Sequence, residues 1–222
     1  MGLLFLSHPL EMIVAYVFLV LSFGLHEAAH AKVAGLYGDT QPYKDGVDSW
    51  NPIVHIRRSV FSSVILPGLT WFLAGFFIGG AFTRLNPNAM QPRKWGNAAA
   101  VAAGPLMNLL IAIVAGVLAL LVAVLTGKIT SAAVMVIQLV GGFNFFGFVF
   151  NLLPLPPLDG SALLRIIFPS TERFFRAVQG IPIMLFFFIG LSFSALAAVF
   201  YLPVRLYYSA VNSLLQALGL GG

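Results

Sequence analysis

His26, Glu27 and His30 form an H-E-x-x-H motif near the end of a long apolar stretch. On an α-helix, residues four apart are separated by about 6 Å of rise and about 40° of rotation, so the two imidazoles face the same side. Two imidazoles in this arrangement can bind one metal ion, and Glu27 is close enough to reach a water molecule beside that ion. The motif therefore indicates a metal site with a carboxylate that can act as a base.

The apolar surroundings of the motif separate this interpretation from chance. Histidine and glutamate also occur together on ordinary helix surfaces, but residues 13–24 just before the motif carry no charge. Ionisable groups at membrane depth cost several kcal/mol and usually mark function. Lys32 would also permit a simpler alternative, in which the polar groups only reach lipid headgroups from a helix end. We interpret the motif as metal-binding.

The composition is that of an integral membrane protein. The chain has 222 residues, of which 59% are hydrophobic and 9% charged, whereas a typical soluble domain is about 25% charged. At about 20 residues per span, there is room for about five or six transmembrane helices. The net charge of +5 is spread over short loops, which suits anionic lipid headgroups and forms no basic patch for nucleic acid. We predict a multi-pass protein of the cell membrane.

The predicted fold is an all-α, polytopic helical bundle of about five or six transmembrane helices. We expect one domain over residues 1–222, with its core at 10–165 and C-terminal helices at 181–220. The predicted spans are residues 10–33, 60–82, 97–125, 132–153 and 181–201, followed by an amphipathic helix or short sixth span at 204–218.

The connector at residues 35–59 and the orientation of the bundle are less well defined by the sequence. Turn signals at Gly38-Asp39 and Asp45-Gly46 suggest that this connector could form a short β-hairpin or a re-entrant segment. Lys and Arg divide almost evenly between the two sides of an alternating topology, so the positive-inside rule gives no orientation.

A third metal ligand must come from outside the motif. A catalytic zinc usually has three protein ligands, and the chain has no cysteine, so the third must be His, Asp or Glu. Asp159 follows a proline-broken apolar stretch, where an isolated carboxylate is costly unless it is paired or bound to metal. An aspartate before Gly160 is also an ordinary turn residue. The residues alone favour Asp159 about as much as the other acids together, which are Glu11, Asp39, Asp45, Asp48 and Glu172.

Two motifs together resemble the site-2 protease family of intramembrane zinc metalloproteases. One is the HExxH motif in the first long span, and the other is N-x-x-P-x-P-x-x-D-G at residues 151–160. The segments A-G-P-L-M-N (103–108) and N-P-I-V-H (51–55) are similar to two further family segments. The resemblance covers residues 10–165 and includes no PDZ or CBS domain. It departs from the family at Arg57 and Arg58, where short members usually carry an acid, and residues 83–96 are only loosely similar.

The resemblance implies an activity and a set of site residues. One Zn²⁺ would be held by His26, His30 and Asp159, and Glu27 would serve as general base and acid in peptide-bond hydrolysis. The substrates would be transmembrane segments of other membrane proteins, cleaved within or at the edge of the bilayer in regulated intramembrane proteolysis. The lipid bilayer is the expected environment, and a homo-oligomer or a regulatory membrane protein is a further candidate partner.

Several other polar side chains lie in predicted spans or loops. An unwound substrate helix needs replacement hydrogen-bond partners, which the amides of Asn151 and Asn108 could supply, or one of them could stabilise an oxyanion. The alternative for each is an interhelical hydrogen bond of about 1 kcal/mol. We favour substrate contact for Asn151 and leave Asn108 open. Gln138 and Asn144 are predicted to be packing groups, and His55 a structural residue of its loop.

Two functions of other classes stay open. A metal-handling transporter could use the HExxH motif as a transit site, and it would not require Asp159 to complete a three-ligand set. A proteolytically inactive relative could bind membrane helices without cutting them, although it would have no need of Glu27.

Overall fold

A computed structural model describes residues 7–74, 83–178 and 201–220. Within these ranges every regular element is helical, which confirms the all-α class. In chain order the elements are α1 (Pro9–Leu36), α2 (Gln41–Lys44), α3 (Pro52–Arg58), a π-helical turn (Phe61–Ile65) continuing into α4 (Leu66–Ala74), α5 (Arg93–Thr126), α6 (Ala132–Asn151), α7 (Asp159–Ile167), a 3₁₀ turn (Pro169–Thr171), α8 (Glu172–Val178) and α9 (Leu202–Ala217).

Three of the described helices, α1, α5 and α6, are long and apolar enough to cross a membrane. Even the shortest, α6 with 20 residues, extends about 30 Å, the thickness of a bilayer's hydrocarbon core. Helix α5 buries small residues such as Ala100 and Ala119 and exposes large ones such as Val117 and Leu121. Small residues inside and large apolar residues outside are typical of helices that pack closely in lipid.

The expected β-hairpin in the connector is wrong. Residues 37–59, all of which the structure describes, contain the short helices α2 and α3 and no strand. Gly38 and Gly46 adopt positive φ angles of 97° and 67°, but they follow the ends of α1 and α2 and terminate those helices. Pro42 and Pro52 then occupy first-turn positions of α2 and α3, where a missing N–H costs nothing.

The predicted span at residues 60–82 falls partly on residues 75–82, which lie outside the described residues, and the described residues on its two sides do not lie at opposite ends of the bundle. The end of α1 and the start of α5 lie side by side, because the Gln91 N–H donates to the Tyr37 carbonyl oxygen at 2.8 Å and the Tyr37 side chain packs on Gly96. The intervening chain therefore begins and ends at the same end of the bundle. Hydropathy predicted that this segment was apolar but could not distinguish a crossing from a return. The predicted span at 181–201 lies outside the described residues except for Tyr201.

The cations are concentrated at one end of the bundle as a result. Helices α1 and α6 finish, and α5 begins, at the end that carries the histidines, so the described residues between α1 and α5 and those that follow α6 up to residue 178 start from that end, and Lys94 at the start of α5 donates to the Ile167 carbonyl oxygen. The expected even division of Lys and Arg assumed a crossing at 60–82 and is wrong. Ten of the twelve cations lie in the last turns of α1, between α1 and α5, at the start of α5 or in the short helices after α6: Lys32, Lys44, Arg57, Arg58, Arg84, Arg93, Lys94, Arg165, Arg173 and Arg176.

Helix α9 packs against α5 and α6. Its buried residues Val204, Val211 and Leu215 share one face, as predicted for an amphipathic helix in this region. The Tyr207 hydroxyl donates to the Ala112 carbonyl oxygen of α5 at 3.1 Å. A Cβ at Gly141 of α6 would lie 1.9 Å from that hydroxyl oxygen, so only glycine at this position leaves room for the tyrosine.

Candidate metal centre

The two motif histidines share one face of α1, as their spacing predicts. Their Nε2 atoms are 3.0 Å apart, and both residues are buried, at 7% and 6% exposure. The Nδ1 atom of His30 lies 2.7 Å from the Ala100 carbonyl oxygen. Because a carbonyl can only accept, Nδ1 carries the proton, and in the neutral ring that binds a metal the lone pair would be on Nε2, which faces the site. His26 Nδ1 is buried and has no hydrogen-bond partner in the described part of the chain.

Asp159 is brought to these histidines by the first turn of α7. Its Oδ2 atom lies 3.3 Å from His26 Nε2 and 3.5 Å from His30 Nε2. The approach depends on Gly160, because a Cβ there would lie 2.2 Å from the Leu152 carbonyl oxygen at the end of α6. The proline-rich turn can thus fold tightly back against the start of α7 and aim the carboxylate at α1.

The three donor atoms fit a zinc ion. Ligand atoms that stand 2.0–2.1 Å from a tetrahedral zinc are about 3.3–3.4 Å apart, and the observed separations are 3.0, 3.3 and 3.5 Å. Two imidazoles and one carboxylate are a donor set that catalytic zinc uses. Two buried imidazole nitrogen atoms 3.0 Å apart, each beside the same carboxylate oxygen, also favour a bound cation.

Asp159 lies outside the three spanning helices, and its ionisation matches this ligand role. Partial burial by itself raises the pKa of the carboxyl, but the hydrogen bonds and charges of His26 and His30 outweigh it and hold the pKa below its usual value. The carboxylate is therefore ionised, as a metal ligand must be.

Gly104 of α5 forms the floor of the site. A Cβ at this position would lie 2.2 Å from His30 Nε2 and 2.6 Å from His26 Nε2. Any side chain would therefore enter the space between the ligating atoms. Gly104 lies in the A-G-P segment, but the sequence alone gave no role to this glycine. The available signal was a glycine among alanines, where helix propensity alone would favour another alanine.

Glu27 is held beside the histidines by a distant segment of the chain. Its Oε2 atom accepts the Thr83 backbone N–H at 2.7 Å, and the Thr83 hydroxyl donates to the Glu27 carbonyl oxygen at 3.3 Å. The ligating atoms of His26, Glu27 and His30 all lie within 4.8 Å of one another. This separation leaves room for a small molecule such as water between the carboxylate and a shared ion.

The two asparagines converge on α6 and not on the ligands. Asn151 Nδ2 donates to the Gly147 carbonyl oxygen at 2.9 Å within its own helix. Asn108 of α5 is buried, and its Nδ2 atom lies so close to Gly147 that a Cβ there would be 2.8 Å away. Among the described residues, neither amide hydrogen-bonds to His26 or Asp159. The substrate or oxyanion contact predicted for Asn151 and left open for Asn108 stays a prediction.

The remaining polar groups have partners away from the site. His55 is buried, and its Nε2 donates to the Ser49 carbonyl oxygen at 2.9 Å, in keeping with the predicted structural role in its loop. Gln138 donates to Asn212 of α9 at 3.3 Å, and Asn144 donates to Ser22 of α1 at 3.1 Å, so both join helices as predicted.

No acid other than Asp159 and Glu27 joins the histidines in the described ranges. Asp48 and Glu172 form ion pairs elsewhere, with Lys32 and Arg176, and the Glu11 carboxylate lies 3.7 Å from His8. Asp45 accepts from the Gln41 side chain and Asp39 from backbone N–H groups.

One curated protein shares sequence with most of the chain. It is named "Putative zinc metalloprotease YwhC", from Bacillus subtilis (strain 168), and it is 32% identical over 178 residues that cover 76% of each protein. No protein-family model and no solved structure matches the chain. The identity and its coverage show that this chain belongs to the protein family of YwhC.

Proposed function

We propose that this protein is an intramembrane zinc endopeptidase of the site-2 protease type, which hydrolyses peptide bonds in transmembrane segments of other membrane proteins. The observation that carries the proposal is the convergence of His26, His30 and Asp159 at 3.0–3.5 Å, from two elements far apart in the chain. The name of the YwhC relative supports metalloprotease activity, and the position of His26 and His30 on an apolar helix supports action within the membrane.

The residues around the site can divide the reaction between them. A zinc ion held by the three ligands would supply a Lewis acid that polarises the scissile carbonyl and acidifies water. The Glu27 carboxylate accepts the proton of the attacking water and returns it to the leaving amide nitrogen. The Thr83 N–H fixes Oε2 of Glu27, while in the described part of the chain no hydrogen bond engages Oε1, which can face the water.

The arrangement supports hydrolysis over metal transport. A transport site must release its ion, whereas the Ala100 carbonyl fixes one imidazole and Gly160 lets the carboxylate fold tightly onto the pair. Glu27 adds a carboxylate that fits general-base catalysis. A relative that only binds helices would need neither the metal ligands nor the Glu27 carboxylate.

The test compares the wild-type protein with Glu27→Gln in lipid vesicles that contain a reporter with a transmembrane helix. We expect zinc to be retained in both proteins and cleavage to be lost in the variant, because the amide cannot accept the proton. Glu11→Gln is the matched control, since Glu11 lies at the other end of the same helix, and it should cleave at the wild-type rate. Cleavage by Glu27→Gln would reject the proposed base, and an inert wild-type protein would reject the proposed activity.

A further inference from the structure

Asp39 is a buried carboxylate that the proposed reaction does not use. It is 3% exposed, and none of the ion pairs among the described residues includes it. Burial of a carboxylate without a counter-ion costs several kcal/mol unless hydrogen bonds compensate. Both oxygens are compensated by backbone groups, because Oδ1 accepts from Gln41 N–H at 2.8 Å and Oδ2 accepts from Asn86 N–H at 2.7 Å.

The two hydrogen bonds of Asp39 differ in the sequence separation between the residues that they join. The bond to Gln41 spans two residues and stabilises the turn before α2, which a single side-chain oxygen can do. The bond to Asn86 joins positions 47 residues apart and contributes nothing to that turn. A local turn therefore accounts for only one of the two carboxylate oxygens of Asp39.

The second bond holds a segment that reaches the candidate base. We call residues 83–91 the strap, because α1 binds one end of it and Tyr37, the residue that follows α1, binds the other. At one end the Thr83 N–H donates to Glu27 Oε2 at 2.7 Å, and at the other the Gln91 N–H donates to the Tyr37 carbonyl oxygen at 2.8 Å. Asn86 is three residues after Thr83, and three residues of extended chain span about 10 Å. The hydrogen bond that holds Asn86 on Asp39 therefore keeps Thr83 within about 10 Å of that point.

We propose that Asp39 is a positioning residue, which through the strap keeps the Thr83 N–H on the Glu27 carboxylate and so aims the base. This inference rests on the proposed function, because it matters for catalysis only if Glu27 is the base. Asp39 itself touches neither substrate nor metal. Its removal should leave the three metal ligands in place and allow the carboxylate of Glu27 to turn away from its working position.

The first test is kinetic and uses the full-length protein in vesicles with the transmembrane reporter. A general base contributes about 10²–10⁴-fold, so partial misplacement in Asp39→Ala should lower kcat by about 10–100-fold, with KM within about twofold and zinc content unchanged. Asp39→Asn retains one acceptor oxygen and should fall between this variant and the wild type. Asp45→Ala is the matched control, since Asp45 lies in the same connector and, among the described residues, its carboxylate accepts only from the Gln41 side chain.

Two kinetic results would overturn the inference. One is a kcat for Asp39→Ala that equals that of Asp45→Ala while Glu27→Gln is inert. The other is a loss that appears in KM or in zinc content alone. Asp39→Asn keeps the turn before α2, so it gives a folded variant even if Asp39→Ala does not fold.

The second test does not depend on activity. The chain has no cysteine, so Leu85→Cys places a single thiol in the strap. Leu85 is half-buried and packs against the buried cluster of Ala34, Met90 and Ala100. Adding Asp39→Asn to this variant should raise the rate of maleimide labelling about tenfold, whereas adding Asp45→Ala should not. Equal labelling rates in the two double variants would show that Asp39 does not hold the strap. A wild-type protein that cleaves no reporter would reject the proposed function, while the labelling rates would still decide whether Asp39 holds the strap.

Discussion

Replacing Gly104 with alanine tests the geometry of the metal site with a single methyl group. The added carbon would lie 2.2 Å from His30 Nε2 and 2.6 Å from His26 Nε2. The first distance is about 1.3 Å shorter than an ordinary contact of about 3.5 Å. Metal–ligand distances tolerate changes of only about 0.2 Å, so the imidazoles cannot both avoid the methyl group and keep a common ion.

The expected effect is a loss of zinc affinity of at least about 100-fold, or about 2.7 kcal/mol, the upper end of what disturbed ligand orientation costs. The assay is zinc stoichiometry of the purified protein, followed by competition with a chelator of known affinity. Gly116→Ala is the matched control on the same helix, because its nearest neighbour, the Tyr207 hydroxyl oxygen, would be 3.4 Å from the new carbon. Both substitutions gain similar helix propensity, so only the contact with the histidines distinguishes them.

Two results would refute the reasoning. If Gly104→Ala binds zinc as tightly as Gly116→Ala, the histidines do not converge over this glycine. If both variants lose zinc equally, the effect belongs to helix α5 and not to the site.

Two more predictions follow from the same geometry. Gly160→Ala should reduce zinc binding while helix content by circular dichroism stays unchanged, because a Cβ 2.2 Å from the Leu152 carbonyl oxygen would push Asp159 from the histidines; undiminished zinc would contradict this. The concentration of cations at the site-bearing end of the bundle favours a cytoplasmic location for that end. The chain has no cysteine, so a single introduced thiol can be labelled. The thiol of Lys128→Cys should react with an impermeant maleimide in intact cells, and the thiol of Arg173→Cys should react only after permeabilisation. The reverse labelling pattern would exclude this orientation.

The parts of the site that follow from helix periodicity could be predicted from the sequence. A four-residue spacing puts His26 and His30 on one face of any α-helix, so their convergence needed no tertiary information. The position of Asp159 is different, because it depends on how a proline-rich turn folds back on α6. Residue types alone left it level with the other acids, and only the longer motif around it singled it out.

The predictions from the sequence failed where one sequence pattern is compatible with two different structures. Gly38 and Gly46 are consistent with hairpin turns and with helix ends, and the structure uses them as helix ends. Residues 60–82 are apolar enough to cross a membrane, but their apolarity carries no information on where the chain emerges. Gly104 has a role that depends on the side chains of another helix, which no local pattern reveals.

The most direct test of the account is the zinc content of Asp159→Ala compared with the wild-type protein and with Asp48→Ala, a matched change at an exposed ion pair with Lys32. Three converging ligands predict about one zinc per chain in the wild type and in Asp48→Ala, and a loss of zinc in Asp159→Ala. A wild-type protein that binds no zinc, or an Asp159→Ala variant that binds as much as the wild type, would contradict the metal centre and the activity built on it.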